Sequence, residues 1–220
     1  MKGEVAGLLS SWWTPPEVLA VADRLEPGRE ESARELWHEL ALPGEDILAD
    51  LFAALTRERA SLRQEYERLF VGPGPVPCPP YEAVWHTDRP RHEEGMVTGE
   101  ATEEVLRLYA SLGLRVRSGA SELPDHLAIE LEALAYAWKT GASTAEADLL
   151  LGAHLACWLP PFCASVIGRT ELTFYKSLAT LTLMCVQAWA AERGVVECLA
   201  DSGRTMSQTV GGAGGSVEKF

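Results

Sequence analysis

Runs of alternating apolar and polar residues bounded by hairpin turns are missing from the 220-residue chain, which argues against a β framework. Basic residues are few. Nineteen Lys and Arg against 32 Asp and Glu leave a formal net charge of -13, so a nucleic-acid backbone or an anionic lipid surface is repelled and a cationic partner is attracted. Cysteine is scarce too: Cys78, Cys157, Cys163, Cys185 and Cys198 form no C-x-x-C, and an odd count cannot pair entirely within the chain. Reduced, mostly buried thiols are the expectation. No charged-then-apolar leader opens the sequence. The most apolar window, Leu178 to Ala191, is interrupted by Thr180, Thr182 and Gln187 and falls short of the ~20 residues that cross a bilayer. These two absences predict a cytoplasmic chain without stable membrane insertion.

Catalytic and cofactor signatures are also missing. There is no G-x-x-x-x-G-K-[ST] loop and no G-x-S-x-G elbow. His154, Cys157 and Cys163 form an H-x2-C-x5-C that fits no common zinc spacing, and a core role for them is favoured. The sequence predicts no cofactor, no metal and no enzyme.

What the chain does have is helical periodicity. Leu48, Leu51, Leu55, Leu62, Tyr66 and Leu69 recur at helical spacing and predict one long amphipathic helix over 47–70. Further helices are expected over 16–25, 29–42, 98–112, 124–139, 144–159 and 170–193. With 47% hydrophobic and 23% charged residues the composition is that of a globular protein, and the expected fold is all-α, a single multi-helix bundle spanning 1–200. Two halves, 1–71 and 98–200, are joined by a connection over 72–97. That connection opens with Gly72 to Pro80, whose five prolines fix φ and remove donors, so it must be extended or turning. Residues 201–220, rich in glycine, are expected to form a flexible tail.

Three polar and aromatic constellations remain. Tyr66, Leu69 and Phe70 end the long helix just before the stiff connection, a pattern that also suits a core stripe with a glycine stop. Pro80, Tyr81, Glu82 and Trp85 cluster in a loop, where packing on the bundle and lining a groove are equally compatible with the residues. Asp125, His126 and Glu130 lie at a helix start; His126 and Glu130 share a face, and helix capping accounts for Asp125 but not for the triplet.

The blocks EYERLFVGPGPVPCPPYEAVW (65–85), PDHLAIELEALAYAW (124–138) and HLACWLPPFCASV (154–166) resemble, in this order, the TorD/DmsD/NarJ family of molybdoenzyme maturation chaperones. The resemblance implies an all-helical cytoplasmic chaperone. Its partner is the precursor of a molybdoenzyme catalytic subunit, bound through the twin-arginine signal peptide or amino-terminal region, and held back from export until cofactor insertion. Carried over residue by residue, the peptide site implied is Asp125, His126, Tyr81, Glu82 and Trp85, with Tyr66, Leu69 and Phe70 matching the neighbouring block. A receptor for two guanidinium groups and an apolar stretch needs carboxylates beside an apolar groove; Asp125, Glu130 and Glu82 can supply the first and Tyr66, Phe70, Tyr81 and Trp85 the second, and Pro80 of the same connection is counted in the site. Some relatives dimerise by domain swapping, and the proline-rich connection leaves a homodimer as an alternative to the monomer. The competing class is a metal-dependent helical-bundle enzyme using His126, Glu130 and His154, although the paired Glu-x-x-His motifs of di-iron bundles are absent. A third reading is an accessory subunit retained on a mature oxidoreductase.

Overall fold

The fold is that of a computed structural model, which describes residues 1–17, 28–85, 100–116, 122–141 and 144–195. Its helices in chain order are α1 (Lys2–Trp12), α2 (Arg29–Glu39), α3 (Glu45–Arg57), α4 (Arg59–Tyr66), α5 (Glu82–Trp85), α6 (Glu100–Ser111), α7 (Leu127–Thr140), α8 (Thr144–Leu149), α9 (Ala156–Arg169) and α10 (Thr173–Arg193). A π-helical turn, Glu67–Val71, extends α4, and a second, Leu150–Leu155, joins α8 to α9. The all-α expectation holds, and among the described residues the extended pairing is a single bridge, Tyr81 to His126.

The two halves share one core. α1 packs along α7, and α10 packs between α3 and α9. α1 was not expected, because its run of small residues has little amphipathic contrast. It forms because Val5, Ala6, Leu9 and Trp12 are all buried on one side, and because Gly3 lets the backbones meet: a Cβ there would stand 2.8 Å from the Ala135 carbonyl oxygen. At the centre of the bundle, Trp13 contacts the rings of Phe70 and Phe162 and donates from Nε1 to Thr182 Oγ1 at 2.9 Å.

The helix expected over 47–70 is broken at Glu58. The break turns the Glu58 carboxylate onto the start of α10, where it accepts from the amides of Thr173 at 3.2 Å and Phe174 at 3.0 Å, two donors that a helix start leaves without intrahelical partners. Burial raises the Glu58 pKa, but the bonds from Phe174, Arg57 and Thr173 outweigh it and hold the carboxyl below its usual range. Gly72 ends the following π turn at φ 106°, a conformation that favours glycine, and releases the chain into the connection.

The helix expected to stop at Leu159 continues through Pro160 and Pro161 to Arg169. Interior proline costs about 3 kcal/mol, which the burial of Trp158, Leu159, Phe162, Cys163 and Val166 on both sides offsets. Thr144–Arg169 is thereby one 26-residue helical run, long and apolar enough to cross a membrane by length and composition, with 56% of its most apolar window buried in the bundle. Core helices pass the same test. Cys78, Cys163 and Cys185 are free and buried, in line with the expectation for them of reduced, buried thiols. The expected helix over 16–25 lies outside the described residues from 18 onward, as do the connection after Trp85 up to residue 99 and the segment 201–220.

Candidate functional site

The connection returns to the bundle at Pro80, and from there two segments distant in sequence are laid side by side. Leu127 N donates to Pro80 O at 2.9 Å, and Glu82 N to Asp125 O at 3.0 Å. Between these bonds the Tyr81 ring meets the edge of the His126 ring, with centroids 5.2 Å apart. The first helical residues after Tyr81 expose amides that need acceptors, and the Asp125 carboxylate supplies one: Oδ2 accepts from Ala83 N at 3.2 Å. Asp125 thus serves the short helix α5 rather than its own. The cap of α7 is His126, whose Nδ1 accepts from Ala128 N at 3.1 Å. Trp85 folds back, donating from Nε1 to Pro79 O at 2.6 Å with its ring on Phe162.

Protonation follows from this geometry. An Nδ1 that accepts leaves the His126 proton on Nε2, 4.0 Å from Glu122 Oε2. Burial pushes the His126 pKa down to about 4, with Glu122 opposing, so the ring is neutral near pH 7. Burial likewise raises the Asp125 carboxyl above its usual range, and the nearby Glu82 adds to the rise; the bonds from Ala83 and Thr102 act in the opposite sense.

The three expected carboxylate acceptors, Glu82, Asp125 and Glu130, are fully buried. Each has an internal donor: Glu82 Oε2 lies 2.8 Å from His154 Nδ1, Glu130 Oε2 accepts from Trp158 Nε1 at 3.2 Å, and Asp125 holds Ala83. Tyr66, Leu69 and Phe70 are buried as well. Tyr66 stacks edge-on to Phe70, Phe70 touches Trp13 and Tyr175, and the Leu69 carbonyl accepts from Cys78 N at 2.9 Å. Of the ten expected site residues, Tyr81 and Trp85 are partly exposed, while Pro80, Glu82, Asp125, His126, Glu130, Tyr66, Leu69 and Phe70 are buried. The residues are therefore brought together, but most of them face inward: in this conformation a guanidinium does not reach Asp125, Glu82 or Glu130.

The carboxylate at the solvent edge is Glu122, which sequence reasoning passed over. Its side chain is 34% exposed, and Oε2 accepts from the Tyr81 hydroxyl at 2.6 Å. The signal was in the spacing, since Glu122 precedes His126 by four positions in E-x-P-D-H. The grouping of His126, Glu130 and His154 as metal ligands is not supported: among the described residues no group of three or more His, Cys, Asp or Glu could hold a metal ion. Those side chains are occupied with Ala128, Trp158 and Glu82 respectively.

The family described as nitrate reductase delta subunit matches residues 31–164, more than half of the chain, and the chain belongs to that family, which includes the NarJ, TorD and DmsD proteins. The matched span contains all ten expected site residues together with Glu122, His154 and Trp158. Among curated relatives, the Tat proofreading chaperone DmsD of Salmonella typhi is 30% identical over 137 residues, 62% of this chain and 64% of that protein. The chlorate reductase assembly chaperone protein of Ideonella dechloratans is 32% identical over 136 residues, covering 56% of this chain and 66% of that one. The chaperone protein TorD of Vibrio cholerae is 29% identical over 119 residues, 49% and 51% of the two chains. The chain thus spans about two thirds or less of the length of these relatives, each of which is named as a chaperone.

Proposed function

We propose that this chain is a cytoplasmic, system-specific chaperone that binds the twin-arginine signal peptide or amino-terminal region of a molybdoenzyme catalytic-subunit precursor, assists cofactor insertion and delays export. It has no turnover of its own. The relatives' names support the general role. The observation that carries the recognition site is the Glu122 carboxylate at the rim, hydrogen-bonded to the partly exposed Tyr81 and facing the neutral His126. A peptide guanidinium meets Glu122 there, and the apolar residues that follow lie along Tyr81 and Trp85. Asp125, Glu82 and Glu130 shape the rim from beneath. A charge-assisted bond contributes about 1.5 to 3 kcal/mol, and each buried Leu- or Phe-sized side chain roughly as much, which suffices for micromolar binding after ordering costs. The net charge of -13 speeds encounter with a cationic peptide.

The test is calorimetric titration of a client signal peptide into the wild type and Glu122→Gln, with a second peptide in which both arginines are glutamine. The variant binds the arginine peptide about tenfold or more weakly, and wild type and variant bind the glutamine peptide alike. Equal affinity of both proteins for the arginine peptide would place recognition elsewhere.

A further inference from the structure

Tyr81 and Trp85 of the rim belong to a connection that contributes little core of its own, so contacts with the bundle must fix where it sits. Most of its bonds run to residues 122–127, the very segment that completes the rim: Pro80 to Leu127, Tyr81 to Glu122, and Glu82 and Ala83 to Asp125. Those contacts hold the two rim segments to each other. Leu127 opens α7 and the Tyr109 hydroxyl donates to Pro124 O at 3.0 Å, so residues 122–127 tie the pair to the α6 and α7 side of the bundle.

The Glu82 side chain ties the connection to the other side, the helical run 144–169. It is fully buried, and His154, 72 positions later and also buried, places Nδ1 2.8 Å from Glu82 Oε2. His154 stands in the π-helical turn Leu150–Leu155, where the wider winding locally shifts which side chains face the core; such turns recur at functional sites. Close packing keeps that turn in place: a Cβ on Gly152 would come within 2.7 Å of the Val195 carbonyl oxygen. One helical turn further on, Trp158 binds Glu130 of α7. Two successive turns of one helical run thus grip a carboxylate from each side of the rim, Glu82 from the connection and Glu130 from α7. Elsewhere along that run the connection is held by weaker contacts, Cys78 Sγ to Ser165 Oγ at 3.3 Å and the Trp85 ring on Phe162.

The geometry points to His154 as a positioning residue for peptide recognition: through the buried bond to Glu82 it sets the connection against the bundle and so presents Tyr81 and Trp85 to the peptide. This rests on the recognition reading above. His154 touches no peptide. A donor to Glu82 is what the position requires, so glutamine, whose amide retains an N–H of similar reach, substitutes for the imidazole, and leucine does not.

Hydrogen exchange of the free chain tests the anchor without any peptide. In His154→Leu the amides of residues 82–85 exchange about tenfold or more faster than in the wild type, while those of α3 and α10 are unchanged; His154→Gln restores protection. Glu82→Gln on the His154→Leu background adds no further acceleration. Titration with the arginine peptide then shows a loss of about tenfold for His154→Leu and recovery for His154→Gln. Unchanged exchange at 82–85, acceleration spread evenly over the whole chain, or failure of glutamine to restore protection overturns the anchor. Loss of local protection with unaltered peptide affinity overturns the link to recognition. A wild type that binds no arginine peptide, with the exchange contrast intact, sinks the recognition reading and not the anchor.

Discussion

The Asp125 carboxylate accepts a hydrogen bond from the amide of Ala83, 42 positions earlier, and so a residue just before one helix caps another. Asp125→Ala removes the acceptor from the half-buried Ala83 amide and should cost about 0.5 to 2 kcal/mol of folding stability, whereas Asp125→Asn keeps an oxygen for Ala83. The pH dependence separates the two effects. Because the folded-state pKa of Asp125 is raised, its favourable contribution is present below the usual carboxylate range and is lost as pH rises through the raised value. The Asn variant carries no such loss. Urea unfolding should show Asp125→Asn gaining on the wild type as pH is brought from acid to neutral; a gap between them that does not change with pH would contradict the burial argument.

His126 predicts the opposite trend. Its folded-state pKa is pushed down to about 4 from 6.5, so the unfolded chain binds the proton more tightly and the wild type loses stability as pH falls between those values. His126→Asn keeps a side-chain acceptor for Ala128 N and removes the titration. Thermal melts between pH 7 and pH 4 should therefore fall less steeply for the variant than for the wild type. Parallel curves would mean that the ring is not held neutral by burial.

Gly152 lies in the π turn that presents His154. Alanine is the better helix former by about 1 kcal/mol, so propensity alone predicts that Gly152→Ala is stabilising. Contact predicts the reverse. The added methyl meets the Val195 carbonyl oxygen at 2.7 Å and Val195 Cβ at 2.9 Å, backbone-linked atoms that cannot swing aside, and overpacking of this kind costs about 1 to 3 kcal/mol. A lowered midpoint in urea is expected; a raised one would show that the chain after Gly194 yields freely.

Much of the molecule was legible because helices are written locally. Periodicity along 29–42, 98–112, 124–139 and 170–193 predicted elements that the bundle contains, and the prolines between Gly72 and Pro80 announced a connection poor in donors. The likeness of three short blocks to one family brought Tyr81 and Asp125 into one hypothesis. Tertiary structure decided the rest. It made α1 a core helix by setting Gly3 against Ala135, broke the long helix at Glu58 to cap α10, and carried α9 through two prolines because both flanks were buried. It also reversed the meaning of the carboxylates. A sequence shows that Glu82, Asp125 and Glu130 are charged, but whether they face water depends on donors such as His154, Ala83 and Trp158 supplied from distant segments. Burial of a charge is tolerable only with such partners, and partners separated by 28 to 72 positions leave no local pattern to read, which is why the sequence does not reveal that the partly exposed Glu122, and not the buried triplet, lies at the solvent edge.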